Sequence, residues 1–428
     1  MSMDRRQFVR LLGASAALGA AGTLAGCATT GGGAGARRVV VIGGGFGGAT
    51  AAKYIRMWAP EIEVTLVERG ERFVSCPFSN RVLAGSLKIE DLTTPYDGLA
   101  RNHGVKLVHD EAVAIDPVKQ EVRLARGGSL GYDRLIVSPG VDFMYETIPG
   151  LNNAAAQERV LHAWKAGPQT VALRRQLEAM RDGGVVAIHI PKMPYRCPPG
   201  PYERACQIAA YLKKAKPKSK IMLLDANPGI VSKKGLFMAA WKELYPGMIE
   251  YHANSELHDV DAGTRTAKLV FGDVKADVLN VIPPQRAGNI ARQAGLVTVN
   301  DRWCGVDYLT WESLAHKNVH VIGDSTLSAP GMPKSGHMAN QHGKIVADAV
   351  IALLTGRPVN DEPMIANTCY SWVSDREVVH VASVHAYDKA KKTMVAVKGA
   401  GGLSPKRNPK EAAFASAWAE NIWADMLK

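Results

Sequence analysis

Past its N-terminal leader the chain has no run of 18 consecutive apolar residues, so no later segment is expected to cross a bilayer as a helix. It has no Cys-x-x-Cys-His, which excludes a c-type haem attached to this polypeptide. Its 12 histidines are scattered, and no His/Cys cluster has metal-ligand spacing, so no metal centre is expected. Lys/Arg runs interleaved with aromatics are missing too. The segment Lys213-Lys-Ala-Lys-Pro-Lys-Ser-Lys220 reads as a solvated helix end and loop, and nucleic-acid binding is not expected despite a net charge of +12. Only 21% of residues are charged, too few for a disordered polycation. With 46% hydrophobic residues in 428, the chain can fill two or three globular cores under a basic surface. Such a surface suits an acidic protein partner or an anionic substrate.

The N-terminus reads as an address. Arg5-Arg6-Gln7-Phe8 precedes an apolar stretch from Leu11 to Leu24, in the pattern of a twin-arginine export signal. Leu24-Ala-Gly-Cys27 resembles a lipoprotein cleavage box, which makes Cys27 a candidate for acylation. Gly31-Gly-Gly-Ala-Gly-Ala36 then serves as a flexible linker. The mature protein is expected in the periplasm, where disulfides persist.

The folded part opens on a β-α-β unit. Arg37–Ile42 is an apolar strand, Gly43-Gly-Gly-Phe-Gly-Gly48 a turn, Ala49–Met57 a helix, and Glu63–Glu68 a second strand ending in an acid. Gly43, Gly45 and Gly48 occupy the G-x-G-x-x-G positions, which need a tight turn, close approach to a pyrophosphate and close helix–strand packing. Glu68 can accept hydrogen bonds from a ribose. Much later, Asn318-Val-His-Val-Ile-Gly323-Asp324 resembles the late FAD motif of flavoproteins with two dinucleotide-binding domains, whose aspartate contacts the ribityl-phosphate region. Tyr132–Gly140 resembles the segment closing the first half of their FAD domain.

Between these motifs lies a second α/β unit: strand Gly184–Ile190, helix Tyr202 to about Lys214, strand Ile221–Asp225. Here the glycines are gone. The turn contains Cys197-Pro-Pro-Gly-Pro201, and Pro198, Pro199 and Pro201 have no N–H to offer a pyrophosphate. The topology predicts a Rossmann-like domain whose NAD(P) site is lost. Expected boundaries are 1–36 signal and linker, 37–150 first FAD part, 151–275 second domain, 276–345 second FAD part and 346–428 C-terminal domain.

Six cysteines are present, and with Cys27 in the leader an odd five remain: Cys76, Cys197, Cys206, Cys304 and Cys369. One thiol is therefore expected to be otherwise occupied. Cys197 and Cys206 are unsuited to each other, because nine helical residues rise about 13 Å. Cys197 precedes a helix N-terminus, where partial positive charge favours a thiolate. Glu203, in the first turn of that helix, could manage protons beside it. The sequence settles no other pairing.

Six stretches carry a family likeness: Val41–Gly48, Ser75-Cys-Pro-Phe-Ser-Asn80, Pro194-Tyr-Arg-Cys-Pro-Pro-Gly-Pro-Tyr-Glu-Arg204, Val321–Asp324, Met332–Gly336 and Asn367-Thr-Cys-Tyr-Ser371. Through them the chain resembles the flavoprotein subunit of flavocytochrome c sulfide dehydrogenase, within the pyridine nucleotide-disulfide oxidoreductases. The resemblance implies an α/β fold with two Rossmann-like domains, glutathione-reductase-like, plus a C-terminal interface domain. It implies FAD bound covalently through Cys76, a redox disulfide between Cys197 and Cys369 beside the flavin, and Trp418 near the ring. Sulfide would be oxidised to sulfur or polysulfide and the electrons passed to a c-type cytochrome subunit. Which cysteine sulfide attacks stays open, and Cys206 has no place in the family pattern. Two alternatives are a sulfide:quinone oxidoreductase, with Phe414, Trp418, Ile422 and Met426 as a lipid-facing helical stripe, and a non-catalytic exported flavin redox partner.

Overall fold

The computed structural model describes residues 37–428. The expectations for Arg5, Arg6 and Cys27 therefore lie outside the described residues. Strand Arg38–Ile42 is Val-rich and buried over four of its five residues, as a strand covered on both faces must be. It sits at the centre of a five-stranded parallel sheet between Arg134–Val137 and Glu63–Val67, with Val319–Val321 and Lys106–Val108 at the edges. The edge strand Val319–Val321 comes from far along the chain, so the first domain is discontinuous, as its two motifs require.

Helix Phe46–Trp58 covers this sheet and is crossed closely by helix Gly336–Thr355. A Cβ added to Gly343 would stand 2.5 Å from the carbonyl oxygen of Gly47, so the crossing depends on glycine. Asn340 fastens the same layer, donating to Thr50 Oγ1 at 2.9 Å and to Asp425 Oδ2 at 2.8 Å. Helix Gly336–Thr355 thus belongs to the first domain throughout, and an expected boundary at 345/346 would cut it in two.

The second domain is a four-stranded parallel sheet in the order Ile249–His252, Lys220–Asp225, Val185–Ile190, Val278–Val281. The last strand pairs with Val185–Ile190, so this domain reaches past the expected end at 275. A three-stranded antiparallel sheet, Met364–Trp372, Val378–Asp388 and Thr393–Leu403, precedes the final helix Pro409–Leu427. Of the stripe on that helix, Ile422 and Met426 are buried while Phe414 stays half exposed. Among the described residues no helix is long and apolar enough to cross a membrane.

Candidate functional site

One cleft of about 740 Å³ runs from the glycine turn to the C-terminal sheet and is lined by all three parts of the fold. At one end, Gly43 has φ +96°, and a Cβ there would lie 2.4 Å from Ser138 O; one on Gly48 would lie 1.9 Å from Gly43 O. Both glycines are fixed by close packing. Gly45 is different: it caps helix Phe46–Trp58, and nothing stands within 4 Å of where its Cβ would be. That open side, at a helix N-terminus facing the cleft, is a cradle for phosphate oxygens. Glu68 is held beside it, its two carboxylate oxygens accepting the N–H groups of Gly44 (2.8 Å) and Gly70 (2.9 Å). Gly323 and Asp324 reach the cleft from the long-range edge strand. Burial raises the Asp324 carboxyl above its ordinary range, with Arg196 and Lys334 opposing. A dinucleotide fits these residues.

At the other end the cleft gathers Cys76, Cys197, Cys369, Glu203 and Trp418. Cys76 lies ahead of the short helix Ser79–Ala84, and its Sγ accepts the N–H of Ala166 at 3.4 Å. Cys197 sits on the proline-rich turn at φ +58°, its N–H bonded to Lys334 O at 2.8 Å. That bond ties the turn of the second domain to the loop ahead of helix Gly336–Thr355. Cys369 comes from strand Met364–Trp372, with Asn367 Nδ2 within 3.4 Å of its sulfur. In this structure all five described cysteines are free thiols. Burial is the first influence on Cys197 and pushes its thiol well above the ordinary value; Cys369 and Glu203 add to the effect, while Arg196 and Lys233 oppose it. Burial thus acts against the thiolate that the helix N-terminus at Gly200 would favour.

A buried polar network ties these groups together. Glu203 Oε2 accepts Asn80 Nδ2 (3.1 Å), and Oε1 accepts the N–H of Trp372 (3.0 Å), the last residue of the strand that carries Cys369. Burial holds the Glu203 carboxyl above its usual range against the pull of those donors and of Lys233. Arg204 is 1% exposed and donates to Asn80 Oδ1, Asn280 Oδ1 and the carbonyls of His162 and Ala163 at 2.6–3.0 Å. Trp418 packs near His337 (5.8 Å) and Tyr370 (6.2 Å). Cys206 and Cys304 are buried away from this chemistry, and Trp241 Nε1 donates to Cys206 Sγ at 3.2 Å.

Where a second dinucleotide would need a free acid, Asp225 is fully buried and committed. Its Oδ2 accepts Tyr202 (2.7 Å) and Tyr251 (2.8 Å), and its Oδ1 accepts Asn227. Sequence reasoning did not single out Asn80, Arg196, Arg204 or Lys233. Asn80 and Arg204 stand inside the two cysteine motifs, so their signal was present. Lys233, next to exposed Lys234, looks like half of a solvated pair.

Comparison with known proteins matches three stretches of the chain. Residues 37–179 fit the pyridine nucleotide-disulphide oxidoreductase family. Residues 170–283 fit the central region of the sulfide dehydrogenase [flavocytochrome c] flavoprotein chain, and 361–427 fit the flavocytochrome c sulphide dehydrogenase flavin-binding region. A flavoprotein chain of that enzyme from Chlorobaculum thiosulfatiphilum is 65% identical over 37 residues, 9% of this chain and 77% of that sequence. The mitochondrial sulfide:quinone oxidoreductase of Mus musculus is 24% identical over 323 residues, 73% of this chain and 70% of that one. The sulfide:quinone oxidoreductase structure from Aquifex aeolicus superposes with a TM-score of 0.74 at 20% identity, covering 91% and 92% of the two chains. That likeness establishes the fold.

Proposed function

Because the chain belongs to the flavoprotein family of flavocytochrome c sulfide dehydrogenase, a sulfide-oxidising flavin oxidoreductase family, we propose that it hands the electrons of sulfide to a c-type cytochrome. The observation that carries this reading is the meeting of Cys197, Cys369 and Glu203 in the cleft that holds the dinucleotide turn. FAD, when bound, would supply a two-electron acceptor for sulfur that can also release electrons singly, as a haem partner would require. The glycine turn, Glu68 and Asp324 would hold its dinucleotide, and Cys76 would fix its ring through a thioether. In the oxidised enzyme Cys197 and Cys369 form a disulfide. Hydrosulfide attacks one of these sulfurs, the S–S bond breaks, a persulfide forms and the other sulfur leaves as thiolate. Glu203, held above its ordinary range, receives the hydrosulfide proton.

Quinone is the second reading, since sulfide:quinone oxidoreductases are relatives. The inward turn of Ile422 and Met426 favours the cytochrome, because it leaves only Phe414 of that stripe half exposed. The twin-arginine leader fits an exported protein loaded with flavin beforehand, with Cys27 as a site for a lipid anchor. Anaerobic mixing tests the scheme: sulfide bleaches the flavin, cytochrome c restores it and a short-chain quinone does not. NADH leaves it oxidised, because the prolines and the committed Asp225 give a nicotinamide dinucleotide no partners. Rapid bleaching by micromolar NADH, or reoxidation by quinone alone, overturns the corresponding part.

Acid-precipitated holoprotein is expected to stay yellow, with the flavin on the peptide containing Cys76. Cys76→Ala should release the flavin on precipitation yet still bind it when native, because the glycine turn and Glu68 remain. A colourless precipitate from matured protein excludes the thioether.

A further inference from the structure

Lys233 is an anomaly. It is 4% exposed, yet its ammonium is bonded only to neutral acceptors, Cys369 O at 2.8 Å and Ser371 Oγ at 2.8 Å. Among the described residues it makes no ion pair within 4 Å. A buried cation without a counter-ion costs several kcal/mol in general, and the usual outcome is pairing or neutralisation. Its backbone is also unusual: φ is +55° immediately before helix Lys234–Leu244, a conformation that disfavours a residue with a Cβ. Two unfavourable features at one position call for a shared reason.

The surroundings supply it. The charged or titratable groups facing the ammonium are Cys369 on the C-terminal sheet, Glu203 on helix Gly200–Ala215, Cys197 on the proline-rich turn and Glu411 on the last helix. Glu203 is raised by burial and so is a weak permanent partner. The largest charge effect on Lys233 after its own burial is that of Cys369, whose backbone carbonyl the ammonium already holds and whose sulfur has the Asn367 amide beside it. We propose that Lys233 is the positioning cation of the sulfur site, whose counter-ion is the anionic sulfur created at Cys369 when the disulfide opens.

This rests on the disulfide reading above. If Cys197 is attacked, Cys369 leaves as thiolate; if Cys369 is attacked, it carries the terminal sulfur anion of the persulfide. In both cases one S–S bond breaks, one forms, the hydrosulfide proton passes to Glu203 and the negative charge ends beside Lys233. No electron leaves sulfur at this stage. Burial lowers Lys233 to about 8, with Cys369, Glu203 and Cys197 opposing, so a nearby anion also secures its proton at neutral pH.

The test reads the thiols directly. Holoprotein is alkylated with iodoacetamide at a series of pH values, before and after reduction, and the Cys369 peptide is quantified by mass spectrometry. Protection of Cys197 and Cys369 before reduction tests the disulfide alone. After reduction, Lys233→Met is expected to move the Cys369 profile upward and slow alkylation at pH 7 about tenfold, with Lys233→Arg restoring it. Buried Cys206 serves as the internal reference. Should Lys233→Met fail to accumulate, Ser371→Ala, which removes one anchor of the ammonium, is expected to give a smaller shift in the same direction. An unmoved Cys369 profile in the folded variant overturns the proposal even if the disulfide is confirmed.

Discussion

Replacing Cys197 or Cys369 by serine is expected to lower sulfide-dependent flavin reduction by about a thousandfold or more, and replacing both should be hardly worse. Residues that act as one unit show this non-additivity, because the first loss already removes the bond that reacts. The two sulfurs arrive from different parts of the chain, one on the proline-rich turn and one on strand Met364–Trp372, and both line the same cleft. Flavin content should be unchanged, since neither cysteine belongs to the glycine turn. Stopped-flow bleaching with sulfide makes the measurement. Near-normal rates in Cys369→Ser with intact flavin would sink the disulfide mechanism and leave a flavoprotein with another donor route.

Arg204→Met should be among the most damaging single changes to stability. The guanidinium bonds Asn80 from the first domain, Asn280 from the second-domain sheet and the carbonyls of His162 and Ala163, and it lies over the Trp164 ring at 4.7 Å. Methionine fills much of the volume but leaves three buried acceptors, Asn80 Oδ1, Asn280 Oδ1 and the Ala163 carbonyl, without a donor and removes one of the cations near Glu203. Removing one side of a buried charged network typically costs about 3–5 kcal/mol. Urea unfolding monitored by flavin release should show this as an earlier midpoint. A midpoint within experimental scatter of the parent would mean that water substitutes for the guanidinium.

These two cases divide by how far sequence could see. Cys197 stands out in the sequence because three prolines crowd its turn, whereas Cys76 and Cys369 are marked only by the family resemblance of their motifs. The glycine turn is equally visible: its spacing is dictated by backbone geometry, and Gly43 and Gly48 are fixed by clashes that any side chain would meet. Both Rossmann-like sheets followed from runs of β-branched residues between turn signals. Domain limits were less visible. Strand Val278–Val281 and helix Gly336–Thr355 are assigned by what they pair with and cross, and that information is non-local.

The sequence alone determined the class of fold, the dinucleotide turn, the missing glycines of the second turn and the positions of the candidate thiols. Each depends on the intrinsic properties of a short segment: backbone freedom, a missing N–H, a sulfur atom. Only the tertiary structure decided what surrounds them. Lys233 and Lys234 are adjacent and chemically identical, yet one is buried against the Cys369 strand and the other is exposed. Asp225 ends its strand as an acid whose partners, Tyr202 and Tyr251, only the fold brings to it. Burial is a property of the assembled chain, and it sets the upward push on Glu203 and Cys197 and the cost of Lys233.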